Sequence, residues 1–207
     1  MTEPTTEADK PARILRAALE EFAEKGYRAA STNRIAGQAG VAKGLVFHYF
    51  GNKQALYLAV YDWIAEELMS AMEAAIAEAP ADLFERVFQV SARKLALMRE
   101  TPLRTRFALR TRTAPREIRA LLHARSQQAN QQRMVARLLE GVDTSQLRPG
   151  VSKEEAMEAI MTISAGLENM VTALLETDAP EPDLQPIFDR SRRLLILLRD
   201  GLYGSAT

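Results

Sequence analysis

The sequence predicts an all-α protein, and three observations carry that prediction. Alanine, leucine, glutamate and arginine are abundant while runs of β-branched residues are absent, a composition that favours helices along the whole chain. Apolar residues recur at every third or fourth position, the period of a helix with one buried face. Most prolines and several glycines fall between these periodic stretches, where they act as stops. A chain of 207 residues is long enough to bury an ordinary core without staples.

About nine helices are expected from this periodicity. The first has Asp9 at its N-cap and Pro11 in its first turn, where a missing N–H costs little. Ile14, Leu15, Ala18, Leu19 and Phe22 form its apolar stripe, and Gly26 ends it. Ser31 caps a short second helix with Ile35, Ala36 and Ala39 on its apolar side, and Gly40 stops it. A third short helix runs from about residue 42 to 50 and ends at Gly51; Asn52 caps the next. That fourth helix is long, with Leu56, Val60, Trp63, Ile64, Leu68, Met72 and Ile76 in one stripe up to Pro80. Further helices are expected over residues 82–100, 102–112 and 115–140, with Pro102, Pro115 and Gly141 at the breaks. After the loop "DTSQLRPGVSKEE", Ser152 and Glu155 have the spacing of a capping box and start a helix that reaches about residue 176. "TDAPEPDLQP" is a linker, and a last helix runs to about Asp200.

The absence of cysteine excludes disulfides and thiolate metal sites. No apolar stretch reaches the roughly 18 residues of a spanning helix, and the N-terminal segment lacks the pattern of a signal peptide; a cytoplasmic protein is expected. Catalysis is not indicated: no serine–histidine–acid spacing and no glycine-rich phosphate loop is present. The carboxylate pairs Glu20/Glu21, Glu66/Glu67 and Glu154/Glu155 are adjacent and so do not share a helix face. His48 and His123 are the only histidines, too few for a metal site without cysteine; no metal and no cofactor is expected.

A net charge of zero hides segregation. Residues 25–61 contain no Asp or Glu but carry Lys25, Arg28, Arg34, Lys43 and Lys53. Residues 86–139 are rich in arginine, and residues 140–189 are acidic. Such blocks report surfaces that meet something. Within the acid-free block lies "GVAKGLVFHYFGNKQAL", residues 40–56. On a helical wheel Val46 and Phe50 fall together, with Lys43 and Phe47 at the edge of that side. Gly44, Leu45 and His48 fall opposite, flanked by Tyr49. Val46 and Phe50 then pack on Ile35 and Ala39, and the second of two short helices presents a small, polar and aromatic face: a helix-turn-helix. Gly44 lets that face approach another surface closely. A duplex repels carboxylates and attracts lysines, and the N-terminus of the second helix, at Thr32 and Arg34, suits phosphate.

The segment "STNRIAGQAGVAKGLVFHYFGNKQALY" resembles the DNA-binding segment of the tetracycline-repressor (TetR) family of bacterial transcription regulators, over roughly residues 11–61. The resemblance implies an all-helical homodimer whose first three helices read DNA, with a C-terminal helical domain for effector binding and dimerisation. It divides the chain into a flexible tail at residues 1–8, a DNA-binding domain at 9–51 and an effector and dimer domain at 52–207. It makes Thr32, Arg34, Lys43, Gly44, Leu45, His48, Tyr49 and Lys53 the DNA-facing set. Leu45 and Phe47 depart from the commoner small polar residue and tyrosine; Leu45 suits a thymine methyl, and Phe47 suits packing. The implied function is a ligand-responsive regulator, a repressor, on a palindromic double-stranded operator. The alternative is a helical small-molecule-binding protein with a non-functional helix-turn-helix.

Candidates for the effector pocket are Phe84, Phe88, Phe107, Arg110, Met134, Met161 and Met170. All but the arginine lie on apolar stripes, where core packing is the competing reading. The effector itself is expected to be amphipathic or anionic. The arginines at 104–137 and the run "SQQANQQR" also read as solvated helix faces. The dimer contact is expected through Ile160, Ser164, Leu167, Val171, Leu194 and Leu198 on the last two apolar helices.

Overall fold

A computed structural model of the chain describes residues 9–124, 128–175 and 185–204. The expected tail at 1–8 and most of the "TDAPEPDLQP" linker lie outside the described residues. The described residues form ten helices: α1 (Lys10–Ala29), α2 (Thr32–Ala39), α3 (Lys43–Phe50), α4 (Lys53–Ala77), α5 (Leu83–Glu100), α6 (Pro102–Arg112), α7 (Arg116–Leu122), α8 (Gln128–Leu139), α9 (Lys153–Leu175) and α10 (Gln185–Leu202). The all-α class is as predicted. Within the helix expected over 115–140, the described residues are helical as α7 and α8, and residues 125–127 lie outside the described set.

Two compact units divide the chain: Met1–Leu68 with Leu97–Gln128, and Met69–Ala96 with Ala129–Thr207. The first therefore draws in α6 and α7, which lie beyond residue 51. Local chemistry explains its short helices. The regular part of α1 stops at Gly26, whose φ of 68° is left-handed, a conformation a side chain disfavours. Asp9 stands at the N-cap of α1 without a side-chain capping bond, whereas Ser31 accepts from the Arg34 N–H and Asn52 Oδ1 from the Ala55 N–H at 2.8 Å. Gly40 (φ 62°) ends α2 and makes the turn into α3.

Packing on α1 holds this unit together. α1 lies against α2 and α6, and Ile14, Ala18 and Phe22 are buried with Ile35, Ala39, Val46, Leu56, Tyr57, Phe107 and Ile118. Tyr57 is at its centre, edge-on to Phe22 (4.8 Å) and Tyr27 (5.2 Å) and tilted against Phe107 (5.1 Å). Its hydroxyl is buried without a hydrogen-bond partner. Burial pushes that phenol above the usual tyrosine range; the Arg110 charge opposes the shift and Tyr27 adds to it.

The second unit has its own core of Ile76, Leu83, Phe84, Val87, Leu138, Met157, Ile160 and Leu195. Asp82 serves two ends of it, accepting from the Glu85 N–H at 2.8 Å and from the Tyr203 hydroxyl at 2.7 Å. The capping box forms: Ser152 N–H donates to Glu155 Oε2 (2.9 Å) and Glu155 N–H to Ser152 Oγ (3.2 Å). Arg86 is buried, and its guanidinium donates to the carbonyls of Pro80, Leu138 and Glu140. α9 packs against α10.

Candidate nucleic-acid interface

α3 is anchored through one side and open on the other. Val46 is buried at 1% exposure against Ile35 and Ala39, and Phe50 and Tyr49 are half-buried against the same core. Lys43, Gly44 and His48 are exposed and Leu45 is half-buried. The wheel places Gly44 and His48 outward as the structure does, whereas Leu45, expected beside them, is half-buried. A Cβ built on Gly44 meets nothing within 4 Å, so no contact inside the chain requires that glycine. His48 lies edge-on to Tyr49 at 5.3 Å.

The wheel puts Phe47 at the edge of the buried side, and it is 36% exposed, with Lys43 Nζ 5.9 Å from its ring centroid. On a helix one position shifts a side chain by about 100°, and Val46 and Phe50 already take the buried arc. Phe47 is left on the open side as an aromatic edge beside a cation.

The rest of the basic set is tied more closely to the protein. Lys53 Nζ donates to the Arg28 carbonyl at 3.0 Å and stands 5.1 Å from the Tyr27 ring centroid. Burial lowers the lysine below its usual range, and the Glu21 charge opposes that shift. Thr32 is half-buried at the start of α2. Arg34 donates through Nε (3.0 Å) and Nη2 (2.6 Å) to Glu21 Oε1, and the same oxygen accepts from the Ser31 N–H at 2.8 Å. Glu21 is 3% exposed while Glu20 is exposed, as expected for neighbours on one helix. The acid-free block of sequence therefore meets a buried carboxylate in space. Charge counting along the chain missed it, because Glu21 precedes the block by only a few residues.

The expected effector residues are not gathered within either unit. Phe107 and Arg110 belong to the first, where Phe107 is fully buried and Arg110 donates to the Glu24 carbonyl at 3.2 Å. In the second, Phe84 is in the core, Phe88, Met134 and Met161 are half-buried against it, and Met170 is exposed. None of the seven lines either of two open hollows. One, of about 700 Å³ in the first unit, is bounded by Leu15, Leu19, Trp63, Glu67 and Arg104; the other, of about 510 Å³ in the second, by Arg133, Arg137, Glu140 and Lys153. Phe84 and Phe107 are fully buried and Phe88 is half-buried against the second core; apolar periodicity marks burial and not what is buried against. Arginines of the 104–137 stretch pair with carboxylates: Arg104 with Glu67 at 2.5 Å, Arg133 with Glu73 at 2.7 Å and Arg137 with Glu140 at 2.9 Å.

The expected dimer residues also divide. Ile160 and Leu167 are buried inside the single chain, and Ser164, Val171, Leu194 and Leu198 are half-buried, with Ser164 Oγ donating to the Ile160 carbonyl. Among the described residues there, Met170 at 38% and Leu197 at 61% exposure are open large apolar side chains. α9 and α10 are apolar on more than one side, so the stripe alone did not separate inward from outward residues. Among the described residues no group of three or more His, Cys, Asp or Glu could hold a metal ion, and no helix is long and apolar enough to cross a membrane.

The family model for "Bacterial regulatory proteins, tetR family" matches residues 14–60. The HTH-type transcriptional repressor Rv3405c of Mycobacterium tuberculosis is 41% identical over 93 residues, 45% of this chain and 48% of the relative. The chain thus spans about half the length of the curated relatives it matches. Two solved structures share the fold over nearly the whole chain. A tetR-family transcriptional regulator from Mesorhizobium loti has a TM-score of 0.70 at 18% identity, covering 97% of this chain and 100% of its own. The regulator FadR of Bacillus subtilis, solved in complex with stearoyl-CoA, has a TM-score of 0.67 at 23% identity, covering 92% and 98%.

Proposed function

We propose, from the match of residues 14–60 to the family model for tetR-family bacterial regulatory proteins, that this chain is a dimeric, ligand-responsive repressor of transcription. It acts in the cytoplasm on a palindromic operator. The observation that carries this reading is the open face of α3. Lys43, Gly44, Leu45, His48 and Tyr49 stand together there, with Val46 anchored behind them. Two copies place their α3 helices in successive major grooves, about 34–36 Å apart. Gly44 allows the backbone to approach, Leu45 meets a thymine methyl, and His48 and Tyr49 reach base edges or phosphate. Lys43, Lys53 and the N-terminus of α2 at Thr32 meet phosphates. The C-terminal helices hold a second copy and the effector. An acyl-bearing, amphipathic molecule is the class proposed, supported by the stearoyl-CoA complex of the structurally similar FadR and by the apolar core of the second unit.

The test is a binding titration on duplexes selected by the protein from a randomised library. The double variant Lys43→Ala, His48→Ala should weaken binding to the selected duplex at least about tenfold, the size of one lost specific contact. Unchanged affinity would exclude α3 as the reading element. Specific ligand binding with no duplex retained would favour the helical small-molecule-binding protein instead.

A further inference from the structure

α2 is held at both ends by side chains of α1. At its N-terminus Glu21 Oε1 accepts from the Ser31 N–H at 2.8 Å and from both Nε and Nη2 of Arg34. At its C-terminus Arg13 Nη2 donates to the carbonyl of Ala39 and, at 3.4 Å, to that of Gly40. The signs are complementary to the helix: a carboxylate sits at the end where N–H groups are unpaired, and a guanidinium at the end where carbonyls are. Arg13 and Glu21 are eight residues apart on α1, a spacing of about 12 Å, and α2 is eight residues long. The two helices therefore run in opposite senses with a charged clasp at each end. Gly40 is also the turn into α3, and Val41 N–H returns to the Ala36 carbonyl at 3.0 Å, so the second clasp lies at the joint that aims α3.

We propose that Glu21 and Arg13 are positioning residues that fix α2 and thereby the angle of α3, and that Arg34 acts through Glu21 and not on phosphate. This rests on the DNA-binding reading above. A carboxylate from the same chain already takes the Ser31 N–H just before α2 and the Nε and Nη2 donors of Arg34. The buried position of Glu21 explains how a carboxylate is tolerated beside a surface that meets phosphates: it is neutralised by its partner.

The experiment compares Glu21→Gln, Arg34→Gln, the double variant and Arg13→Gln with the unmodified protein, on a duplex selected by that protein and on a mixed-sequence duplex. Affinity is measured as a function of salt, and circular dichroism confirms that each variant is folded at the assay temperature. The expected result has three parts. Glu21→Gln and Arg34→Gln each weaken selected-duplex binding about tenfold, as loss of one charge-assisted hydrogen bond does. The double variant loses little more than either single one. The salt slope stays unchanged, and the preference for the selected duplex narrows. Arg13→Gln narrows that preference as well, at unchanged slope.

A fall of about one unit in the salt slope of Arg34→Gln would identify a phosphate contact and overturn the inference while leaving the DNA reading intact. Folded variants that bind both duplexes as the unmodified protein does would reduce the clasps to fold stability and also overturn it. If the unmodified protein retains no duplex, the DNA reading falls and takes the inference with it.

Discussion

Single residues separate what stabilises this chain from what it presents. The Tyr57 hydroxyl is buried without a partner, and an unsatisfied buried polar group is a net cost. Tyr57→Phe should therefore leave stability at neutral pH unchanged or raise it by about 1 kcal/mol, measured by urea unfolding. Its pH dependence is equally specific. The folded phenol is shifted upward from a usual value of about 10, so folding favours the protonated form. That stability is fully present below about pH 10 and lost as pH rises through the folded value. Tyr57→Phe should remove part of the alkaline loss of stability; an unaltered alkaline limb would contradict the assignment. Gly44 poses the opposite case. Its Cβ position is open, so Gly44→Ala should stabilise the fold by about 0.5–1 kcal/mol. If the backbone there must approach a duplex, the same change should weaken DNA binding. A variant that is more stable and binds DNA equally well would show that the glycine has no docking role.

Among the elements, the α2–turn–α3 unit depends on one backbone conformation. Gly40 has a φ of 62°, and an added Cβ would also crowd the Arg13 guanidinium. Gly40→Ala should destabilise the protein by about 1–2 kcal/mol, the cost of a left-handed conformation for an ordinary residue, and Gly40→Asn should cost less. Thermal unfolding of the three proteins gives the order. Equal melting temperatures would mean that the turn relaxes to another geometry. α1 does more than its amphipathic pattern implied. Its stripe of Ile14, Ala18 and Phe22 was legible from spacing, and the structure buries it. The work of Arg13 and Glu21 was not legible, because both look like ordinary charged positions until α2 lies against them.

At the scale of the whole molecule, the proposed regulator must couple effector to operator and copy to copy. A long-chain acyl-CoA offered as effector should change duplex affinity by a factor of about 5–150, and the duplex should change acyl-CoA affinity by the same factor. Calorimetric titrations in both orders measure this, and no change in either would exclude that effector class. The exposed Leu197 makes the second copy testable. Leu197→Glu should shift the protein toward monomer in sedimentation equilibrium, and an unchanged association constant would place the dimer contact elsewhere.

The sequence by itself determined the all-α class, the helix stops at Gly26, Gly40 and Gly51, the capping box at Ser152 and Glu155, and which side of α3 is buried. These are local: each depends on dihedral preference, a cap, or the 3.6-residue period, all of which act within a few residues. Only the tertiary structure decided that Glu21 reaches Arg34, that Phe47 stays open, that Phe107 joins the first core and Phe84 the second, and that Ile160 and Leu167 point inward while Leu197 does not. Those outcomes depend on which surface each helix meets. A residue's own period shows that it has a buried face, but the identity of the neighbour comes from contacts between segments far apart in the chain.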